Sequence, residues 1–161
     1  MRYTANRKYG KPIELRDNSG ALLASVSRSS WFAVKGAIIA IQDTEYIVTP
    51  KGFFQMSVEV TRGEQQVFSL RFRPMGKVEI TNANGTTYLL KRVNLWRGYY
   101  GLLTESGQQI TTIRPHFELS SFRMRYDIDT DDNYAEGRDP LLVSLLVYMI
   151  DVMQRTAAAA V

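Results

Sequence analysis

Hydrophobic and polar positions alternate with a period of two through most of this chain, and near its end the period changes. In 78–92, VEITNANGTTYLLKR, Val78 and Ile80 fall on one face and Glu79 and Thr81 on the other. This is the pattern of an antiparallel strand with one buried face. An Asn-Gly turn then leads into a second strand, and the same design recurs in 13–26 and 101–113. Gly20, Gly85 and Gly107 sit where a hairpin needs positive φ. Between these hairpins, 31–34, 37–41 and 45–49 are short and rich in β-formers, and 53–61 and 66–72 read as a hairpin turning at Arg62-Gly63. The runs 117–119 and 122–128 read as the last strands. Roughly a dozen short, evenly spaced strands predict a barrel or a sandwich.

The segment 139–155, DPLLVSLLVYMIDVMQR, obeys a different rule. Asp139 is a good N-cap and Pro140 suits the first helical position. The polar residues Ser144, Tyr148, Asp151 and Arg155 fall on one narrow stripe at helical spacing, and every other face is apolar. Such a helix must be enclosed by lipid or by protein. The apolar run is shorter than the ~20 residues of a bilayer span and Asp151 interrupts it, so enclosure by protein is expected. A plain sandwich has no vacancy for it, whereas a large closed barrel leaves an interior that must be filled. The expected fold is therefore mainly β: a closed antiparallel barrel of about a dozen strands around a buried hydrophobic C-terminal helix at about 140–155. One domain is expected over 1–161, with its core at about 9–155 and TAAAAV as a frayed helical end or tail.

Composition narrows the chemistry. The chain of 161 residues has no cysteine, which excludes disulfides, thiolate metal sites and a cysteine nucleophile. The opening MRYTANRKYGKP has bases but no apolar core of a secretory signal, so a cytoplasmic location is the expectation. The net charge of +4 permits attraction to anionic surfaces. Its distribution is uneven: Arg71, Arg73, Lys77, Lys91, Arg92 and Arg97 fill the middle, and Asp127, Asp129, Asp131, Asp132 and Glu136 gather acid before the helix.

Signals for catalysis are weak. His116 is the single histidine, and no G-x-S-x-G elbow marks a serine beside it. Gly76-Lys77 lacks the upstream glycine of a P-loop. Mixed aromatic and basic runs, Trp96-Arg97-Gly98-Tyr99-Tyr100 and Phe122-Arg123-Met124-Arg125-Tyr126, can stack bases. They also arise in any strand with one wet and one buried face, and no nucleic-acid partner is expected. Asp151, inside the apolar helix, needs a partner; Ser144, Tyr148, Arg155 or barrel groups are the candidates.

The end of the chain, Asp132-Asn133-Tyr134, then Asp139-Pro140-Leu141, then Ile150-Asp151-Val152-Met153, resembles the close of phospholipid scramblases and of LURP-one-related proteins. Both belong to the tubby C-terminal-like superfamily. Turns such as Asp17-Asn18-Ser19-Gly20 are similar to its repeats, and the resemblance covers about 9–155. It implies a twelve-stranded barrel around a hydrophobic helix. It also implies phosphoinositide binding through barrel bases (tubby domains), or lipid translocation with calcium binding (scramblases). The acidic run 127–134 lies where scramblases carry a calcium-associated segment. Asp127, Asp129 and Asp131 are therefore metal candidates, although Asp132 and Arg138 stand where an EF-hand needs glycine and glutamate. The expected function is a non-enzymatic module without cofactor. It would bind anionic phospholipid peripherally, at the inner membrane face, through Arg71, Arg73, Lys77, Lys91, Arg92 and Arg97. A protein-interaction scaffold and a scramblase-like lipid handler are the alternatives.

Overall fold

The computed structural model describes residues 1–28, 36–52 and 56–159. Twelve strands precede the helix: β1 Arg2–Lys8, β2 Ile13–Asp17, β3 Leu22–Arg28, β4 Ala37–Ile41, β5 Thr44–Lys51, β6 Ser57–Arg62, β7 Gln65–Arg73, β8 Lys77–Asn82, β9 Thr87–Asn94, β10 Tyr99–Thr104, β11 Gln109–Glu118 and β12 Arg123–Thr130. Each pairs antiparallel with its sequence neighbours, and β1 pairs with β12, so the sheet closes as an up-and-down barrel. An even strand number is what lets the first and last strands meet antiparallel. The expected strand at 31–34 and the first residues of the one at 53–61 lie outside the described residues. The expected start of the core near residue 9 is too late: β1 supplies the closing strand, with Tyr3 and Ala5 facing inward.

Three hairpin turns repeat one device. The carbonyls of Asp17, Asn82 and Thr104 accept from the amides of Gly20, Gly85 and Gly107 at 3.0, 3.0 and 2.9 Å. Their side chains also bind the turn: Asp17 Oδ1 accepts from the amides of Ser19 and Ala21, and Asn82 Oδ1 from those of Asn84 and Thr86. Such Asx turns set the register of the hairpins they join. Closing them requires φ of +85° at Gly20 and +84° at Gly85, backbone that favours glycine.

Inside the barrel, Leu15, Ile39, Leu70, Ile80, Leu90, Leu102, Ile113 and Ile128 point at the axis and are fully buried. Helix α1, Pro140–Ala159, fills the space they enclose, closest to β2, β3 and β4. Residues 141–151 are all buried, so three turns of helix have no wet face. A helix with side chains is about 10–12 Å across, which suits a barrel wider than the eight-stranded kind that side chains alone can fill. By length and composition α1 could cross a bilayer, against the shorter run expected, because it continues beyond Arg155. Its burial makes it the core of the barrel instead. The wall also has the opposite pattern to a lipid-spanning barrel, apolar inward and charged outward.

Asp139 starts the helix as expected: its Oδ1 accepts from the Leu141 amide at 2.9 Å and its carbonyl from the Val143 amide at 3.0 Å. A 3-10 turn, Ala135–Arg138, leads into it. Tyr88 in the wall anchors that turn by donating to Glu136 Oε1 at 3.0 Å. Burial and this carboxylate push the phenol up to about 12.

A chain ending at Asp139 lacks the filling of its barrel and gives no cooperative thermal transition; a soluble truncate that melts cooperatively contradicts the buried-helix account. Within the full chain, Leu145→Ala lowers stability by about 2–5 kcal/mol in urea denaturation. Stability should also depend on pH through Asp139. Burial holds the Asp139 carboxyl above its ordinary value, with the Leu141 and Leu142 amides opposing. The folded state therefore binds this proton more tightly than the unfolded chain. Its contribution is full below the ordinary carboxylate pKa of about 4 and is lost as pH rises through the raised value. Asp139→Asn keeps the cap and removes the titration. Its stability relative to wild type should rise between about pH 4 and pH 7; a flat difference contradicts this.

Candidate anion-binding surface

Strand alternation decides which bases share a face. Arg71 and Arg73 point outward from β7, on either side of the inward Phe72, while Lys77 and Lys91 point outward from β8 and β9. Arg73 lies opposite Lys77, and Arg71 opposite Glu79. Glu79 breaks the basic surface: Arg73 Nε and Nη2 donate to its Oε2 at 3.0 and 2.8 Å. Arg92 does not extend this wall, since residues adjacent in a strand face opposite ways. At an irregularity in the β9–β10 register its guanidinium instead lies 5.6 Å above the Tyr100 ring, and Nε donates to the Tyr100 hydroxyl at 3.3 Å. Arg97 sits in the β9–β10 turn, where its amide donates to Asn94 Oδ1 at 2.9 Å. Four of the six expected bases therefore share the outer wall, and two lie elsewhere.

The acidic candidates are not gathered into a metal site. Asp127 and Asp129 project outward from β12, between basic positions of β1 and β11. Asp129 bridges Arg2 and Arg114, and Asp127 accepts from His116 Nε2 and Arg125 Nε, both at 2.9 Å. Asp131 lies beyond the strand and accepts from the Asn133 amide and side chain. No group of three acidic or histidine side chains among the described residues could hold a metal ion. Asp127 and Asp129, from the run that resembled a calcium segment, form a charge ladder over β1, β12 and β11, beside the seam that closes the barrel. A shallow depression of about 450 Å³ lies over this seam, lined by Arg2, Arg114, His116, Arg125, Asp127 and Asp129.

Asp151 is the most heavily engaged charge among the described residues. It is fully buried, and three arginines converge on it: Arg7 from β1 at 3.1 Å, Arg28 from β3, and Arg155 from the next turn of α1 at 3.2 Å. The Tyr126 hydroxyl donates to Oδ1 at 3.2 Å. Burial first, and then the Asp151 charge, drive that phenol upward, so it remains a donor. Arg155 was an expected partner; Arg7, Arg28 and Tyr126 were not singled out by the sequence, because they come from strands distant in the chain. Ser144, another candidate partner, is buried with its hydroxyl unpaired. Arg28 also lies 5.9 Å above the Tyr148 ring. The carboxylate thus ties the last turns of the helix to β1, β3 and β12.

The two ends of the barrel differ in charge. The proximal end, where α1 begins, carries Asp17, Asp43, Glu64, Glu105, Asp131, Asp132, Glu136 and Asp139 in its turns and flanking strand residues, with Arg2, Arg62 and Arg138. The distal end, where α1 finishes, carries Lys8, Lys11, Arg28, Lys51, Arg73, Lys77, Arg97 and Arg123. Glu118 is the only carboxylate there among the described residues of those turns and flanks. Arg123 pairs with Glu118, Lys51 with Glu59 and Arg73 with Glu79. Lys8, Lys11, Lys77 and Arg97 have no ion pair among the described residues. The modest net charge conceals this separation, and the sequence showed it only in part because the distal bases are scattered through the chain.

Comparison with protein-family models, curated proteins and solved structures finds no match to this chain.

Asp151→Asn should test the arginine cluster. It leaves three guanidiniums facing one another around a neutral group. Removing one partner of a fully buried pair costs about 3–5 kcal/mol. Here the arginines are partly exposed and rehydrate, so about 2–3 kcal/mol is expected in urea denaturation. Arg155→Gln, on the most exposed of the three, should cost less; an equal or larger loss contradicts the assignment of Asp151 as the hub.

Proposed function

We propose that this protein is a non-enzymatic binding module that docks peripherally on anionic phospholipid surfaces, including phosphoinositide headgroups, at the inner face of a membrane. The observation that carries this reading is the separation of charge between the barrel ends, with Lys8, Lys11, Lys77 and Arg97 unpaired at the distal end among the described residues. Arg71 and Lys91, on the adjoining wall, extend that field. A base near an anionic membrane contributes about 1 kcal/mol, so four free cations give roughly 4 kcal/mol at low salt. That corresponds to an enhancement on the order of a thousandfold in partitioning. The acidic proximal end is repelled by the same surface, so the charge distribution selects an orientation as well as a partner.

Sedimentation with vesicles tests this directly. Binding to phosphatidylserine or phosphoinositide vesicles should exceed binding to neutral phosphatidylcholine, and salt should weaken it. Lys11→Glu/Arg97→Glu should remove most of the binding, and Arg71→Glu/Lys91→Glu less. Equal binding to neutral and anionic vesicles, or none to either, contradicts the proposal; the second result leaves a protein-interaction scaffold.

A further inference from the structure

The distal end is apolar at its tips as well as basic at its rim. Its turns expose Tyr9, Met75, Leu95, Trp96, Leu119 and Phe122, and Trp96 is as exposed as in an extended chain. The corresponding proximal turns are built from residues such as Asn18-Ser19-Gly20, Asn84-Gly85 and Ser106-Gly107. Both sets join neighbouring strands of the same barrel, so closing the turns does not require apolar tips.

Two of these residues are poor choices for the backbone they occupy. Met75 has φ of +65° and Phe122 φ of +46°, left-handed conformations in which glycine or asparagine carries less strain. Met75 is 90% exposed and Phe122 76% exposed, so neither is retained for packing in the core. Phe122 is held edge-on against Phe117, with ring centroids 6.4 Å apart, which fixes its direction in the turn. Exposed aromatic, leucine and methionine tips, two of them at strained turn positions, point to an occupant outside the chain.

We infer that the distal turns insert into the interfacial layer of an anionic bilayer, with the barrel standing end-on and α1 running toward the membrane. Charge chooses this occupant. Lys8 and Lys11 flank Tyr9, Lys77 follows the Met75 turn, Arg97 follows Trp96 and Arg123 follows Phe122. Apolar tips within a ring of bases match acyl chains beneath anionic headgroups. Tryptophan and tyrosine favour that interfacial depth. Insertion reaches only the turns, because the wall above them carries charged positions such as Arg73, Glu79, Glu118 and Arg125. The inference rests on the lipid-binding reading above and adds to it a depth and a component of binding that salt does not remove.

The test uses the full chain with Trp31→Phe, which leaves Trp96 as the only tryptophan. Phosphatidylserine/phosphatidylcholine vesicles should shift Trp96 emission to the blue. Lipids brominated near the headgroup end of the chain should quench it more than lipids brominated near the methyl end. In the native background, Trp96→Ala and Phe122→Ser should each weaken vesicle binding about tenfold at high salt. Leu22→Ser, at the proximal end, should change nothing. Thermal melts confirm that each variant is folded. Salt-sensitive binding with unmoved Trp96 emission and no effect of the two turn variants overturns insertion while leaving electrostatic docking standing. Absence of binding to any vesicle overturns both readings.

Discussion

The barrel and its helix exist only through each other. A twelve-stranded sheet closed on itself surrounds more space than its inward side chains can fill, and α1 has no wet face from 141 to 151. Neither element is stable in water alone: the barrel would be hollow and the helix would expose leucine, valine and isoleucine on every side. The helix follows all twelve strands, so the strands precede the element around which they close. The antiparallel meander limits that difficulty, because each strand can pair with a neighbour only a turn away. Among the strand pairings, β1–β12 alone joins distant parts of the chain, and the Arg2–Asp129 ion pair bridges it.

The charges of the structure divide into those that hold the fold and those left for a partner. The Asp151 cluster and the seam ladder belong to the first group: the buried Asp151 and the calcium candidates Asp127 and Asp129 are occupied by guanidiniums. The unpaired cations of the distal turns belong to the second. Turn chemistry follows the same division. Three proximal turns use Asn, Asp, Ser and Gly, and the β4–β5 turn places the polar Gln42 at φ of +51°, whereas distal turns place the apolar Met75 and Phe122 in left-handed backbone. Among the described residues, exposed apolar side chains in left-handed backbone occur at the distal end, and that is where an external constraint is most visible.

The sequence revealed the elements more readily than their partners. The helix was legible because its N-cap, Pro140 and unbroken apolar faces are local signals, and the hairpins because Asp17 and Asn82 stand three residues before a glycine. β1 was not legible: its inward positions are Tyr3, Ala5 and Arg7, a weak apolar alternation whose meaning depends on pairing with β12 at the far end of the chain. The same limit hid Arg7 and Arg28 as partners of Asp151. The basic surface was legible in part. Period two alone places Arg71 and Arg73 together and separates Lys91 from Arg92, but only the register reveals Glu79 beside Arg73.

Amide hydrogen exchange of the full chain, with and without anionic vesicles, tests the whole account in one experiment. Without vesicles, amides of α1 between 143 and 151 should exchange as slowly as the slowest amides of the barrel strands, since both open only on global unfolding. With phosphatidylserine vesicles, added protection should appear in the distal turns 9–12, 74–76, 95–98 and 119–122, and not in the proximal turns. Rapid exchange in α1 would contradict the helix-filled barrel. Protection confined to the proximal turns or the outer wall would contradict end-on docking.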